Sequence, residues 1–174
     1  MTEQQPYNVV RTFEDFELRR YPDYVLVQVN VAGDFGRAAN AGFGPLFRYI
    51  SGSNEAAARI PMTAPVLQET RSESSHTVSF VLPSGTDAGA VPLPAEARVS
   101  VRNVAAHLAA ARKFSGAWSE ARFAENGQAL LESVRREGLT PVGGLYYARY
   151  DPPWKPGFFK RNEALTVVAD VQLQ

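Results

Sequence analysis

Residues 24–52 read YVLVQVNVAGDFGRAANAGFGPLFRYISG, and their hydrophobic period changes midway. Val25, Val27, Val29 and Val31 fall on one face at a period of two, which predicts a strand. Beyond Gly33 the spacing lengthens. Phe35, Ala38, Ala39, Phe43, Leu46, Phe47 and Ile50 share one helical stripe, with Asp34 placed as N-cap and Gly52 as a stop. Gly42, Gly44 and Pro45 predict a poor, kinked helix.

The same switch occurs once more. WSEARFAENGQALLESVRREG (118–138) has Ser119 as a cap, acidic Glu120 and Glu125 towards its positive end, and Arg135 and Arg136 before Gly138. Phe123, Leu130, Leu131 and Val134 form its apolar stripe. Period-two segments predict further strands at 8–12, 16–21, 61–69, 76–83, 98–104, 107–114, 144–150 and 164–173. The order is strand–strand–helix–strand–strand, twice, over about 16–83 and 98–173, joined by the Gly/Pro/Ala-rich linker 84–97. Residue identities do not repeat between the halves. Two such halves bury their apolar faces best against each other about a pseudo-two-fold axis. The expectation is one α+β domain over residues 1–174, its sheets curled towards a barrel, with two helices outside or across it.

Composition narrows the function. With 45% hydrophobic and 21% charged residues, the chain reads as globular and soluble. Eighteen basic residues balance eighteen acidic ones, so no net field recruits nucleic acid or an anionic membrane. The lack of cysteine excludes disulfides, thiolate nucleophiles and thiolate metal sites, and fits a reducing compartment. MTEQQPYNVVRTFEDFELRR, at the start, has no basic n-region or apolar h-region, and no stretch is long enough to span a bilayer. A cytoplasmic protein without membrane partners, monomeric by default, is expected. No G-x-S-x-G, H-E-x-x-H or P-loop is present, so no standard catalytic motif points to an enzyme.

YDPPWKPGFFKRNE (150–163) is unusual. Three prolines and a glycine exclude a helix interior or a central strand, yet the run holds Trp154, Phe158 and Phe159. Together with FELRRYPDYVLVQV (16–29), LFRYISGSNEAAARIPMTAPV (46–66), VSFVLP (78–83), ARKFSG (111–116) and YYARYDPPWKPGFFKRNEALTVV (146–168), it resembles the SOUL heme-binding proteins along nearly the whole chain. The most specific pieces are MTAPV (62–66) and the block from Tyr150 to Glu163. The resemblance implies a twisted eight-stranded antiparallel β-barrel with two helices, built from a duplicated unit, that binds heme or another tetrapyrrole noncovalently in an apolar groove beside the first helix. A carrier, buffer or sensor role follows.

A porphyrin is a flat apolar plate edged by two propionates, so its site needs apolar walls and rim cations. Phe43, Leu46 and Phe47 offer a wall and Arg48 a propionate partner, at a position that is basic in other family members. Trp154, Phe158 and Phe159 offer a lid, with Lys160 and Arg161 as further cations. The plainer explanation of Phe43, Leu46 and Phe47 is that they are core, and that of the loop rings is packing of a long loop. Iron ligation is poorly provided. His76 follows a polar run and reads as solvated; His107 reads as a strand-surface histidine. Some members carry a histidine before the tyrosine matching Tyr21, where this chain has Arg20, so weak or absent axial ligation is expected. The alternative rests on fold likeness to gyrase-inhibitor-like domains. There Glu163 would bind or hydrolyse small molecules, if Arg161 does not simply hold it ionised. Tyr147 should face away from Tyr146 and Tyr150.

Overall fold

The computed structural model describes residues 2–170. In chain order the strands begin with β1 (Glu3–Gln4), β2 (Asn8–Thr12), β3 (Glu17–Tyr21) and β4 (Tyr24–Ala32), followed by helix α1 (Phe35–Ile50). Next come β5 (Thr63–Ala64), β6 (Val66–Ser72), β7 (Ser75–Val81), β8 (Val99–Val104) and β9 (His107–Phe114). Helix α2 (Glu120–Arg136), β10 (Pro141–Arg149) and β11 (Asn162–Val168) follow, the last of these among the described residues. The predicted elements are present, except that the single strand expected over 61–69 forms as two, β5 and β6, on either side of Pro65. The strand predicted over 164–173 ends at Val168, and its positions 171–173 lie outside the described residues.

The chain divides into two units. One contains Met1–Gln5 and Asp23–Ala105, the other Pro6–Pro22 and Ala106–Gln174. In the first, β6, β7, β4 and β8 form an antiparallel sheet in that order, and β1 pairs in parallel with β5. In the second, the antiparallel order is β10, β11, β9, β3, β2. These boundaries differ from the halves expected at 16–83 and 98–173. Strand β3 pairs with β9 and belongs to the second unit, while β8 pairs with β4 and belongs to the first. Nor is 84–97 a free linker. The Tyr49 hydroxyl donates to Pro92 O at 2.8 Å, and Ala95 N to Ser53 O at 3.1 Å, which fasten it to the first unit.

The expected closed barrel is corrected: each unit's sheet is open. Strand β8 edges the first, with Ser100, Arg102 and Asn103 exposed, and β2 edges the second, with Asn8, Arg11 and Thr12 exposed. Polar and charged edge residues of this kind discourage further pairing.

The first core packs Val25, Val27, Val29, Val31, Val78, Phe80 and Leu82 against Ala38, Leu46, Tyr49 and Ile50 of α1. Asp34 caps the helix by accepting from Arg37 N at 2.8 Å. Despite Gly42 and Pro45, α1 runs unbroken over 16 residues. A Cβ at Gly42 would stand 2.6 Å from Val78 Cβ, so this glycine lets the helix seat on β7. In the second unit Ser119 caps α2, and Phe123, Leu130 and Val134 are its buried stripe. Leu131, expected on that stripe, lies at its partly exposed margin. Gly127 seats α2 against Tyr147 and Leu145, whose side-chain ends would be 2.6 and 2.8 Å from an added Cβ. Among the described residues no helix is long and apolar enough to cross a membrane.

The two seats should respond differently to alanine. At Gly42 the obstruction is a Cβ bound to the backbone, so overpacking of about 1–3 kcal/mol outweighs the helix-propensity gain of about 1 kcal/mol. At Gly127 the obstructions are movable side-chain ends. Urea unfolding should therefore show Gly42→Ala clearly destabilised and Gly127→Ala close to wild type; equal losses would contradict this account.

Candidate functional site

Helix α1 divides the predicted wall. Leu46 and Ile50 are buried in the first unit's core, but Phe43 and Phe47 are 42% and 47% exposed. The two rings stack, with centroids 5.6 Å apart and planes 13° from parallel, and Phe43 meets Phe80 edge-on at 5.3 Å. Residues four apart share a helix column, so the pair forms an apolar strip just outside the buried stripe. The next column holds Gly44 and Arg48. The Arg48 guanidinium folds back towards Gly44, where an added Cβ would lie 3.4 Å from Nη1. Arg48 Nε donates to Glu96 Oε1 at 2.6 Å, and Arg98 Nε donates to Glu96 Oε2 at 3.2 Å. The Arg48 hydrogen bond, with the nearby charges, holds the Glu96 carboxyl below the usual range and raises the Arg48 pKa.

The second unit carries the proline-rich loop. Its rings are open to solvent: Trp154 is 83% exposed, Phe158 73% and Phe159 63%. The loop beneath them is tied down. Asp151 accepts from Lys155 Nζ and from Arg161 N, Phe159 N donates to Pro156 O, and Gly116 N donates to Gly157 O at 2.8 Å. A Cβ on Gly157 would lie 2.9 Å from Ala117 N, so only glycine fits this close approach.

The predicted loop cations are committed elsewhere. Lys160 is buried, with Nζ 4.0 Å above the Trp118 ring. Arg161 lies 3.9 Å over the Tyr150 ring and donates to Tyr7 at 3.1 Å and to Glu163 at 3.0 Å. Glu163 is fully buried on β11, and its principal partner is Arg19 of β3, also fully buried, through bonds of 2.8 and 2.7 Å. Arg19 also donates to Tyr21 and Glu17 at 2.9 Å and lies 4.0 Å over the Tyr7 ring. Burial alone would raise the Glu163 pKa, but the two guanidiniums overcome it and hold the carboxyl below its ordinary value. Burial and the Glu163 charge push the Tyr150 hydroxyl up. Nearby, Arg149 sits 5.1 Å from both the Trp118 and Phe123 rings, and burial pulls its pKa down to about 10.

Sequence reasoning paired Glu163 with Arg161 alone. Arg19 falls out of phase with Phe16 and Leu18 in FELRRY, so alternation gave no signal of its burial. Tyr147 does face away from the network, against Phe123 under α2. His76 corrects the expectation of a solvated residue. It is buried, its Nδ1 lies 3.2 Å from Thr70 Oγ1, and its ring meets Phe35 edge-on, because β7 is the strand on which α1 rests. His107 stacks on Tyr21 with centroids 5.6 Å apart. Among the described residues no group of three or more histidines, cysteines and carboxylates is arranged to hold a metal ion.

A sequence profile of the SOUL heme-binding proteins matches residues 2–167, and the chain belongs to that family. It is 32% identical over 161 residues to human (Homo sapiens) heme-binding protein 2, covering 88% of this chain and 77% of that one. It is 28% identical to heme-binding protein 1 of Xenopus laevis, over 85% of this chain and 80% of that one. In fold it is similar to the EcmrR C-terminal domain, with a TM-score of 0.66 at 14% identity, covering 95% and 99% of the two chains. It is also similar to SAV2435 bound to tetraphenylphosphonium, with a TM-score of 0.52 at 13% identity, covering 89% and 94%.

The Glu163 network makes a stability prediction. Removing one member of a buried, hydrogen-bonded ion pair strands the other, at about 3–5 kcal/mol, so Glu163→Ala should lose that much in urea unfolding at neutral pH. A carboxyl whose folded pKa is depressed stabilises above its unfolded value, about 4.3, and loses that contribution as pH falls through the folded value. The gap between wild type and variant should therefore narrow on acidification below about 4.3. A gap independent of pH would contradict the ionised pair.

Proposed function

We propose that the chain binds heme or another tetrapyrrole noncovalently on the exposed face of α1, with the plate against Phe43 and Phe47 and a propionate on Arg48. The stacked, solvent-exposed ring pair carries this reading. Two aromatic side chains open to water beside an arginine match a flat apolar ligand with a carboxylate edge. Family membership supports it, as do relatives whose names state heme binding. Leu46 contributes from beneath as support for the helix. Iron ligation is not assigned to His76, which is sealed under Phe35, or to His107, which is stacked on Tyr21. Affinity then comes from ring contact and carboxylate pairing, which suits a carrier, buffer or sensor better than a redox centre. Glu163 is a poorer centre for a cationic or hydrolysable compound, because the two guanidiniums on its carboxylate repel cations and occupy its lone pairs.

Hemin titration followed in the Soret band tests this. Wild type should saturate at one equivalent. Phe47→Ala should weaken binding about tenfold, as for loss of one stacking ring, and Arg48→Ala about two- to fivefold, as for an exposed ion pair. The band position should be unchanged in His107→Ala. Trp154→Ala measures separately whether the exposed loop rings of the second unit take part. Absence of saturable binding, or binding indifferent to Phe47, would discard the proposal.

A further inference from the structure

The rim of this surface is already occupied by a carboxylate of the protein. Glu96 accepts from Arg48 at 2.6 Å through one oxygen and from Arg98 at 3.2 Å through the other, so one side chain bridges two guanidiniums. Its place is set by the backbone. The segment before it is fastened to the end of α1 by Tyr49 to Pro92 O, Glu55 N to Leu93 O and Ala95 N to Ser53 O, and Val99 N donates to Glu96 O. Both arginine side chains remain more than half exposed, against 29% for Glu96. Each guanidinium therefore keeps donors facing water while its carboxylate partner is the more enclosed member.

We infer that Glu96 is an internal counterion of the α1 surface, holding Arg48 and Arg98 together until a ligand carboxylate displaces it, and that Arg98 is a second anion-binding residue there. The inference rests on the ring-pair reading given above. Its chemistry is specific. A single arginine pairs with one carboxylate, whereas two arginines held about one shared carboxylate suit a ligand presenting two acid groups on one edge. Glu96 and both arginines reach solvent, so a displaced Glu96 carboxylate turns to water and no buried charge is uncovered. Glu96 then acts as a threshold. A neutral apolar plate meets the rings without disturbing the triad, and an acidic plate gains the arginines only by outcompeting Glu96.

Fluorescence titrations with protoporphyrin IX and with its dimethyl ester, which lacks the carboxylates, test this in wild type, Glu96→Gln, Arg98→Gln and the charge control Glu73→Gln. Glu96→Gln should bind the diacid about two- to fivefold more tightly than wild type, the scale of an exposed ion pair, and the ester equally well. Arg98→Gln should bind the diacid more weakly and leave the ester unaffected; Glu73→Gln should match wild type for both. Saturable wild-type binding with unchanged or weaker diacid binding in Glu96→Gln would overturn the counterion role while leaving the ring-pair surface standing. An equal gain in Glu73→Gln would overturn it too, since net charge alone would then explain the effect. No saturable binding of either porphyrin by wild type or Glu96→Gln would overturn both readings.

Discussion

A carboxylate with no access to water must find its counter-charge inside the protein, and Glu163 finds two. The second unit is arranged around that demand. Arg19 stands on β3 and Glu163 on β11, with β9 between them. Between Ala109, beside Arg19, and Lys113, beside Glu163, the strand carries only Ala111 on that face, and Lys113 itself reaches Glu17 at 3.5 Å. Larger side chains there would block a guanidinium from crossing the strand. The alanine run of β9, which reads as a bland sheet face, is thus the space through which the ion pair forms. Tyr7 and Tyr21 complete the enclosure, one beneath the guanidinium and the other as an acceptor.

A network of this kind specifies register more than it adds stability. Buried ion pairs roughly break even against apolar replacements, while loss of one partner is severe. A one-residue slip of β3 against β9 would send Arg19 to the opposite face and leave Glu163 alone with Arg161. The same network holds the proline-rich loop at its exit, because Arg161 bonds to Glu163 and Tyr7 while its backbone N–H donates to Asp151. The loop rings therefore stand exposed on a fixed base.

Local pattern was the legible part of this fold. Periods of two and of 3.6, the caps at Asp34 and Ser119 and the stop at Gly138 all correspond to what formed, because they report each segment's own backbone chemistry. Partner choice was not legible. Strands β3 and β8 satisfy the alternation rule equally well in either unit, and only the pairings with β9 and β4 settle their place. The α1 stripe was legible to within one helix column. Phe43 and Phe47 share the apolar arc with Leu46, and their exposure depends on where the sheet beneath stops, which no single-sequence signal reports. The contact of Glu96 and Arg98 with each other and with Arg48 was not legible, because about fifty positions separate them from Arg48, Glu96 in the segment read as a linker and Arg98 at the start of the strand predicted over 98–104.

The two charge clusters differ in what it costs to part their ion pairs. Freeing Arg161 from Glu163 would take one of two guanidiniums from a buried carboxylate and leave it to Arg19 alone, and Lys160 is enclosed against Trp118. Freeing Arg48 from Glu96 breaks an exposed pair worth at most about 1 kcal/mol. Cations at equal sequence distance from aromatic residues are therefore unequal as recognition elements. Those beside Phe43 and Phe47 exchange partners at little cost, whereas those beside Trp154 and Phe158 are part of the framework. The KRNE segment beside the loop rings anchors the last strand, through Glu163 to Arg19 and Arg161.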